Sequence, residues 1–545
     1  VGIISQQLNK SLAKHGFFFK KITLYSFNLS GEELKAANPL CLIPPKSNSF
    51  FGGNNKKIVP FRQNKALKMA KIIGRQAEIT VLKSLLSADG STFAAVYGRR
   101  RVGKTFLIRN VYEGQFTFQL TGLANVDLSH QLTNFHAALV NYFPDFEDQP
   151  IATTWFQAFQ QLIKGFEPLP KTGKKTIFLD ELPWLDTPNS FFISALEHFW
   201  NSWASARSDI NLVVCGSAAS WIINQLINNT GGLYNRVTHP LYLEPFTLAE
   251  CEAFFKDKIP SYDRYHILQL YMVFGGIPFY LNAIDPSKSA AQNINDLCFK
   301  VRGKFRNEFD KLYASLFKKA DKHIAVIEAL AQQSMGMERQ ALLKAAKLPD
   351  GGNTTAVLRE LEESSFIRKY NTFGKNKNKA LYQLTDFYSL FYLKFIKNNS
   401  PYDDDFWING LDKPDARAWS GYAFEQICLL HLPQIKKALG IGSVQTQSSA
   451  WLGSDGFEKA QIDLLIDRRD QVINLCEMKF SIKPFTIDKA YSEDLRRKIG
   501  VFKESTKTTK AVWLTFISTY GLTQNAYAQS LVHTSLTMTV LFDCP

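Results

Sequence analysis

No stretch of the chain approaches the roughly 18 to 20 uninterrupted apolar residues that a membrane-spanning helix requires, so an integral membrane protein is not expected. Cysteine is sparse and scattered. The seven residues at 41, 215, 251, 298, 428, 476 and 544 include no pair spaced as a zinc knuckle or redox couple, and they read as reduced thiols in a cytoplasm. Methionine is scarcer still, and the first of the six is Met69. Acid is nearly missing from residues 1–68, where eleven Lys and Arg face only Glu32 and Glu33. That segment carries +9 of the formal +15, which leaves residues 69–545 mildly basic at +6. Net charge is therefore poor support for nucleic-acid binding; any such reading has to rest on local patches.

Residues 1–68 also lack a sustained 3.6 or 2.0 periodicity and carry Pro-Pro at 44–45 and Gly-Gly at 52–53, so no packed core is expected there. Two readings stand for it. One is an upstream extension outside the native coding sequence; the other is a targeting leader, although the n/h/c pattern of a secretory signal is missing.

What is present is globular. With 45% hydrophobic and 21% charged residues over 545 positions, three or four folded units are expected. From Met69 onward, wholly apolar runs at Thr92–Tyr97, Phe116–Leu120, Thr176–Leu179 and Leu212–Cys215 read as buried parallel strands. Helical patterns such as Trp155–Gly165 and Phe191–Ala204 lie between them, which predicts a doubly wound α/β sheet. From about 245 to 345 helical periodicity dominates. After a loop at Asn398–Asp405, helix 419–439, a strand pair at 461–467 and 471–478, a helix at 488–502 and a strand at 511–517 predict a second α/β unit.

The first apolar strand runs into Gly98-Arg99-Arg100-Arg101-Val102-Gly103-Lys104-Thr105, a G-x-x-x-x-G-K-[ST] loop followed by a helix from Phe106. Glycines let the backbone turn its N–H groups toward phosphates, and the helix N-terminus adds a favourable dipole. Lys104 can reach the β- and γ-phosphates of ATP, and the Thr105 hydroxyl can ligate Mg²⁺. A later strand ends in Asp180-Glu181, where Asp180 suits the Mg²⁺ shell and Glu181 suits polarising an attacking water. Two further positions each keep two readings. Ser217 is a sensor of the γ-phosphate or part of a plain Gly-Ser turn; Arg236 is an arginine finger or sensor, or a surface salt-bridge residue.

The ordered set Ile72-Ile73-Gly74-Arg75-Gln76-Ala77-Glu78, GRRRVGKT, FLDEL, CGSAAS and GGLYNR resembles the prokaryotic AAA+/STAND-like ATPases of the archaeal-type ATPase family over about 69–395. The resemblance implies that Gly74 and Arg75 pack beside the adenine. It also implies that the Gly-x-Pro of Gly276 and Pro278 senses nucleotide from a lid, although a helix-ending turn accounts for those two equally well. Gln76 departs from the family, which favours an acid there. The implied organisation is a P-loop core at 69–244, a helical lid at 245–317, a winged helix-turn-helix at 318–395, a linker at 396–418 and a final unit at 419–545.

Residues 321–384 resemble the winged helix-turn-helix through helices at His323–Gln332, Glu338–Ala346 and Asn353–Ser364 and a hairpin at 366–384. Its wing holds Arg368, Lys369, Lys375, Lys377 and Lys379 without an acid, which suits contact with a DNA backbone or else a solvated hairpin. In the last unit Asp463 lies on one strand and Glu477-Met478-Lys479 on the next, with Glu477 and Lys479 on one face. Asp463 and Glu477, with Glu425 from the preceding helix, could hold Mg²⁺, and Lys479 could activate water. This arrangement resembles the PD-(D/E)XK restriction-endonuclease-like fold over about 419–545, a domain that in such fusions cuts nucleic acid or binds without cutting. The expected partners are ATP, DNA and a second copy of the chain, and no membrane. The expected activity is an ATPase coupled to a nuclease-like unit in DNA-related or defence-type processes. The alternative is a nucleotide-gated DNA-binding or partner-binding regulator.

Overall fold

The computed structural model describes residues 71–317, 319–374, 380–400, 403–453 and 460–544. The leader 1–68 and the wing lysines Lys375, Lys377 and Lys379 lie outside the described residues.

Five strands form the first sheet: β1 (Thr92–Tyr97), β2 (Phe116–Thr121), β3 (Lys175–Asp180), β4 (Ile210–Cys215) and β5 (His239–Tyr242), all parallel, in the order β2-β3-β4-β1-β5. The alternation of β1 explains its unbroken apolar run. Phe93 and Ala95 enter one core while Ala94 and Val96 enter another, so both faces of the sheet are covered. The order matters for the site, because β4 stands between the strand that feeds the glycine-rich loop and the strand that ends in Asp180.

Downstream, helices Leu248–Lys256, Arg264–Phe274, Pro278–Leu281, Ala290–Cys298 and Glu308–Leu316 follow one another without a strand, as the periodicity predicts. Helices Asp321–Leu330, Arg339–Ala345 and Gly352–Glu363 come next. They accompany a small antiparallel sheet of β6 (Met337–Glu338), β7 (Ile367–Tyr370) and β8 (Leu381–Leu384), in the order β6-β8-β7. The segment expected as a linker is instead packed. Trp407 is buried, and the following helix starts at Pro414 rather than 419, because a proline at the first helical position loses no hydrogen bond. That helix ends at Leu430, and a second, Leu432–Ala438, follows it.

The last sheet orders β13 (Thr534–Thr537), β12 (Ala511–Ser518), β11 (Val472–Lys479), β10 (Gln461–Arg468) and β9 (Thr446–Leu452). Strands β9 to β11 pair antiparallel, whereas β11, β12 and β13 run parallel. The parallel step from β11 to β12 uses the crossover helix Lys489–Thr506.

Three apolar clusters hold these parts together. One lies on the far face of the first sheet and one on the far face of the last. The third runs without a break from Leu82 and Ala94 through Leu312, Leu358 and Trp419 to Met478 and Phe542. A buried polar contact crosses the same seam: the Leu248 amide donates to His431 Nε2 at 3.1 Å, and burial pushes that imidazole down to about 4, so it stays neutral. Among the described residues no helix is long and apolar enough to cross a membrane.

Candidate functional site

The loop after β1 is shaped by left-handed backbone. Gly98, Arg101 and Gly103 have φ of 129°, 71° and 96°. A Cβ on Gly98 would stand 2.6 Å from the Leu243 carbonyl oxygen, so the close pass of β5 requires glycine there. Lys104 opens the next helix, Lys104–Val111, and is almost wholly buried. Its ammonium donates to the carbonyls of Gly98 at 3.0 Å and Arg99 at 2.8 Å, and burial lowers its pKa. An ammonium has three donors, so one is left for a phosphate oxygen.

Thr105 and Asp180 meet as the motifs imply: the hydroxyl donates to Asp180 Oδ1 at 3.0 Å. This oxygen pair fits an Mg²⁺ site, since Mg²⁺ takes hard oxygen ligands from one or two protein side chains and keeps the rest for phosphate and water. Cys215, at the end of β4, donates its thiol to the same oxygen at 2.7 Å, and burial beside Asp180 raises its pKa well above the usual range. Sequence reasoning missed this thiol because the following Gly-Ser drew attention past the strand end. Glu181 is left-handed at φ 48°, which turns its carboxylate back toward β4. The amide and hydroxyl of Ser217 both donate to Glu181 Oε2, at 3.1 and 2.9 Å. Ser217 thus holds Glu181, whose Oε1 has no hydrogen-bond partner among the described residues.

The three loop arginines point elsewhere. Arg99 pairs with buried Asp386 at 2.5 Å and lies over the Phe366 ring. Arg101 pairs with Glu308 and covers Phe279, while Arg100 reaches the Ser315 carbonyl at 3.4 Å. Their side chains, expected at the nucleotide, instead tie the loop to helix Glu308–Leu316 and to the segment of the small sheet. Val102 is buried in the core, and Phe106 lies half exposed on the helix.

On the adenine side, the Arg75 guanidinium donates to the Glu244 carbonyl at 2.6 Å and covers Phe246, and its own amide donates to Glu250 at 3.2 Å. Gly74 packs so closely on Glu250 that a Cβ would collide with that carboxylate. Gly275 ends helix Arg264–Phe274 in the left-handed region and Pro278 starts the next helix, so the helix-ending turn is real. Gly276 also backs onto the Phe246 carbonyl, which a Cβ would strike. The two segments thus meet at one residue, Phe246, one over its ring and the other at its carbonyl. Arg236 is exposed, and no ion pair joins it among the described residues.

A second cluster forms in the last sheet. The register Leu464 to Cys476 places Asp463 opposite Glu477, a like-charge cross-strand pair that costs stability. The β9–β10 register shifts between Ile462 and Leu465, a bulge that re-aims Asp463. Lys479 Nζ stands 2.9 Å from Glu477 Oε1, as alternation predicts. Two residues of the crossover helix join them: the Tyr491 hydroxyl donates to Glu477 Oε1 at 2.6 Å, and Lys498 is 3.5 Å from Oε2. Neither was legible in the sequence, since nothing in a solvent-facing helix marks the turn that packs over a sheet. Burial, with Asp463 and Glu477 nearby, pushes the Glu425 carboxyl up to about 8, and burial raises Asp463 as well. The two lysines hold Glu477 below its usual range against the opposing effect of burial.

The Mg²⁺ assignment to Asp463, Glu477 and Glu425 does not fit this arrangement. Both Glu477 oxygens are taken by Lys479, Tyr491 and Lys498, and Gln461 occupies Asp463 Oδ1 at 2.7 Å. Among the described residues no three His, Cys, Asp or Glu side chains are grouped to hold a metal ion.

Residues 72–284 match the family model described as an ATPase domain predominantly from Archaea. An uncharacterized protein of Methanocaldococcus jannaschii is 23% identical over 432 residues, 78% of this chain and 91% of that one. Among solved structures, the Walker-type ATPase of Pyrococcus abyssi is similar with TM-score 0.44 and 15% identity, covering 59% of this chain and 96% of that chain. The ORC2 protein of Aeropyrum pernix gives 0.38 and 13%, covering 61% and 94%. With its glycine-rich loop, Asp180 and the five-stranded parallel sheet in place, the chain is similar over residues 72–284 to an ATPase domain of the archaeal type.

Proposed function

We propose that the protein binds and hydrolyses ATP with Mg²⁺ and uses nucleotide occupancy to control nucleic-acid engagement by its C-terminal α/β unit. The observation that carries the first half is the meeting of Lys104, Thr105, Asp180 and Glu181 across β1, β4 and β3. In this reading Lys104 binds the phosphates, Thr105 and Asp180 orient the Mg²⁺ shell, and Glu181, steadied by Ser217, positions a water through its unpartnered Oε1. Mg²⁺ supplies charge neutralisation at the transferring phosphoryl group. Gly74, Arg75 and Pro278 flank the base through the Phe246 wall, and exposed Arg236 suits a finger offered to a second copy of the chain.

The second half rests on the PD-(D/E)XK-like order of a helix with Glu425, the Asp463 and Glu477-x-Lys479 hairpin, a crossover helix and a parallel strand. The saturated Glu477 favours a reading in which this unit binds nucleic acid without cutting it. The segment 318–395, read as a winged helix, stands beside it. The test is ATP turnover and DNA cleavage by the full chain, with and without duplex DNA. Absence of ATP turnover in the parent would overturn the ATPase assignment, normal turnover by Glu181→Gln would overturn the role given to Glu181, and metal-dependent cleavage lost in both Asp463→Ala and Lys479→Ala would overturn the non-cutting reading.

A further inference from the structure

Between the small sheet and the last sheet lies a cavity of about 140 Å³, with Arg368 and Tyr370 of β7 on one side and Glu425 and Asp463 on the other. Arg368 is the unusual wall. Its guanidinium donates from Nε to Gln383 Oε1 at 2.8 Å and from one terminal nitrogen to Gln426 Oε1 at 3.1 Å. Both acceptors are neutral amides, and no carboxylate pairs with it among the described residues. A cation taken out of water without a counter-charge is costly, so its place calls for an anion. Ser448 of β9 also lines the cavity: it pairs with Ile466 on the face of the last sheet that bears Leu464, and its hydroxyl is buried with no partner among the described residues. Native proteins leave few such groups unsatisfied unless a ligand or water meets them.

We infer that this cavity binds a phosphate of a nucleic-acid strand, held by the remaining terminal nitrogen of Arg368 and the hydroxyl of Ser448. The inference rests on the nucleic-acid reading of the C-terminal unit and deepens it: a residue of the segment read as a winged helix completes a site whose remaining walls belong to the last sheet. On the carboxyl side of the cavity, Asp463 is faced by Lys479 and Lys498 as well as by Glu477, Glu425 and Tyr370.

The test uses the full chain. Anisotropy with a short fluorescein-labelled DNA duplex is read across a salt series, and inorganic phosphate is titrated by calorimetry. The parent is compared with Arg368→Ala, Arg368→Lys and Ser448→Ala, and each variant's melting temperature reports whether it folds. The expected result is a loss of DNA affinity of about tenfold to a hundredfold in Arg368→Ala, a salt slope smaller by about one, and a loss of phosphate heat. Arg368→Lys restores part of the affinity and Ser448→Ala loses a few-fold. Unchanged DNA affinity and salt slope in a folded Arg368→Ala would overturn the inference while leaving the nucleic-acid reading standing. A parent that binds no DNA overturns that reading. If the parent then takes up inorganic phosphate in an Arg368-dependent way, the cavity is a free-phosphate site and the strand assignment falls.

Discussion

The two charged sites of this protein are built on opposite logics. At the ATPase site the geometry comes from the backbone: a loop bent by Gly98 and Gly103, a lysine held by two carbonyls, and one carboxylate bonded by a hydroxyl and a thiol. At the C-terminal site it comes from side chains that four elements bring together, where two lysines and a tyrosine crowd one carboxylate while burial raises the pKa of its two neighbours. Backbone donors are in place before a ligand arrives, whereas a side-chain cluster stores its electrostatic tension until one does.

The largest break in this contrast is Lys104→Ala. ATP turnover should fall by at least about a hundredfold, as when a preorganised charged donor is removed, measured as phosphate release, with DNA binding by the C-terminal unit retained in the absence of nucleotide. Next comes Arg99→Ala, which leaves buried Asp386 without its counter-charge and should cost about 3 to 5 kcal/mol in thermal or urea unfolding. An unchanged midpoint would mean that the loop is not anchored there. A smaller effect separates the sites by pH. The Glu425 carboxyl is raised to about 8, so between its ordinary value near 4.5 and about 8 the folded state holds a proton that the unfolded chain has lost. Stability should therefore decline as pH rises through that window, and Glu425→Gln should flatten the decline. The smallest change is Arg236→Ala, exposed and unpaired, whose unfolding free energy should stay within about 0.5 kcal/mol. If Arg236 acts on a second copy, its turnover should drop only at protein concentrations that permit assembly.

The same contrast sets how much could be read in advance. The glycine-rich loop and four of the five strands of the first sheet were legible because contiguous apolar runs and fixed spacings encode backbone paths. The meeting of Thr105 with Asp180 and of Glu477 with Lys479 followed from strand logic. What escaped depends on side-chain reach. Arg99, Arg100 and Arg101 stand inside the nucleotide motif yet serve distant partners, which no spacing rule conveys. Lys498 and Tyr491 reach Glu477 from a helix whose sequence only says that it is amphipathic. Strands β9 and β13 were missed because one is polar and the other four residues long. The stretch around Trp407 resembled a linker because its polar residues mask two tryptophans that pack inward.

Those tryptophans have a practical consequence. Trp407 lies 4.9 Å from the Phe391 ring and 5.3 Å from Phe395, and Trp419 lies 5.7 Å from Phe391, so the passage from one sheet system to the next is an aromatic seam. A gene cut at that passage would yield two products, each with a raw face of rings that water cannot wet, and both would aggregate. The two sheet systems therefore belong in one piece when the gene is cloned or its parts are swapped between relatives.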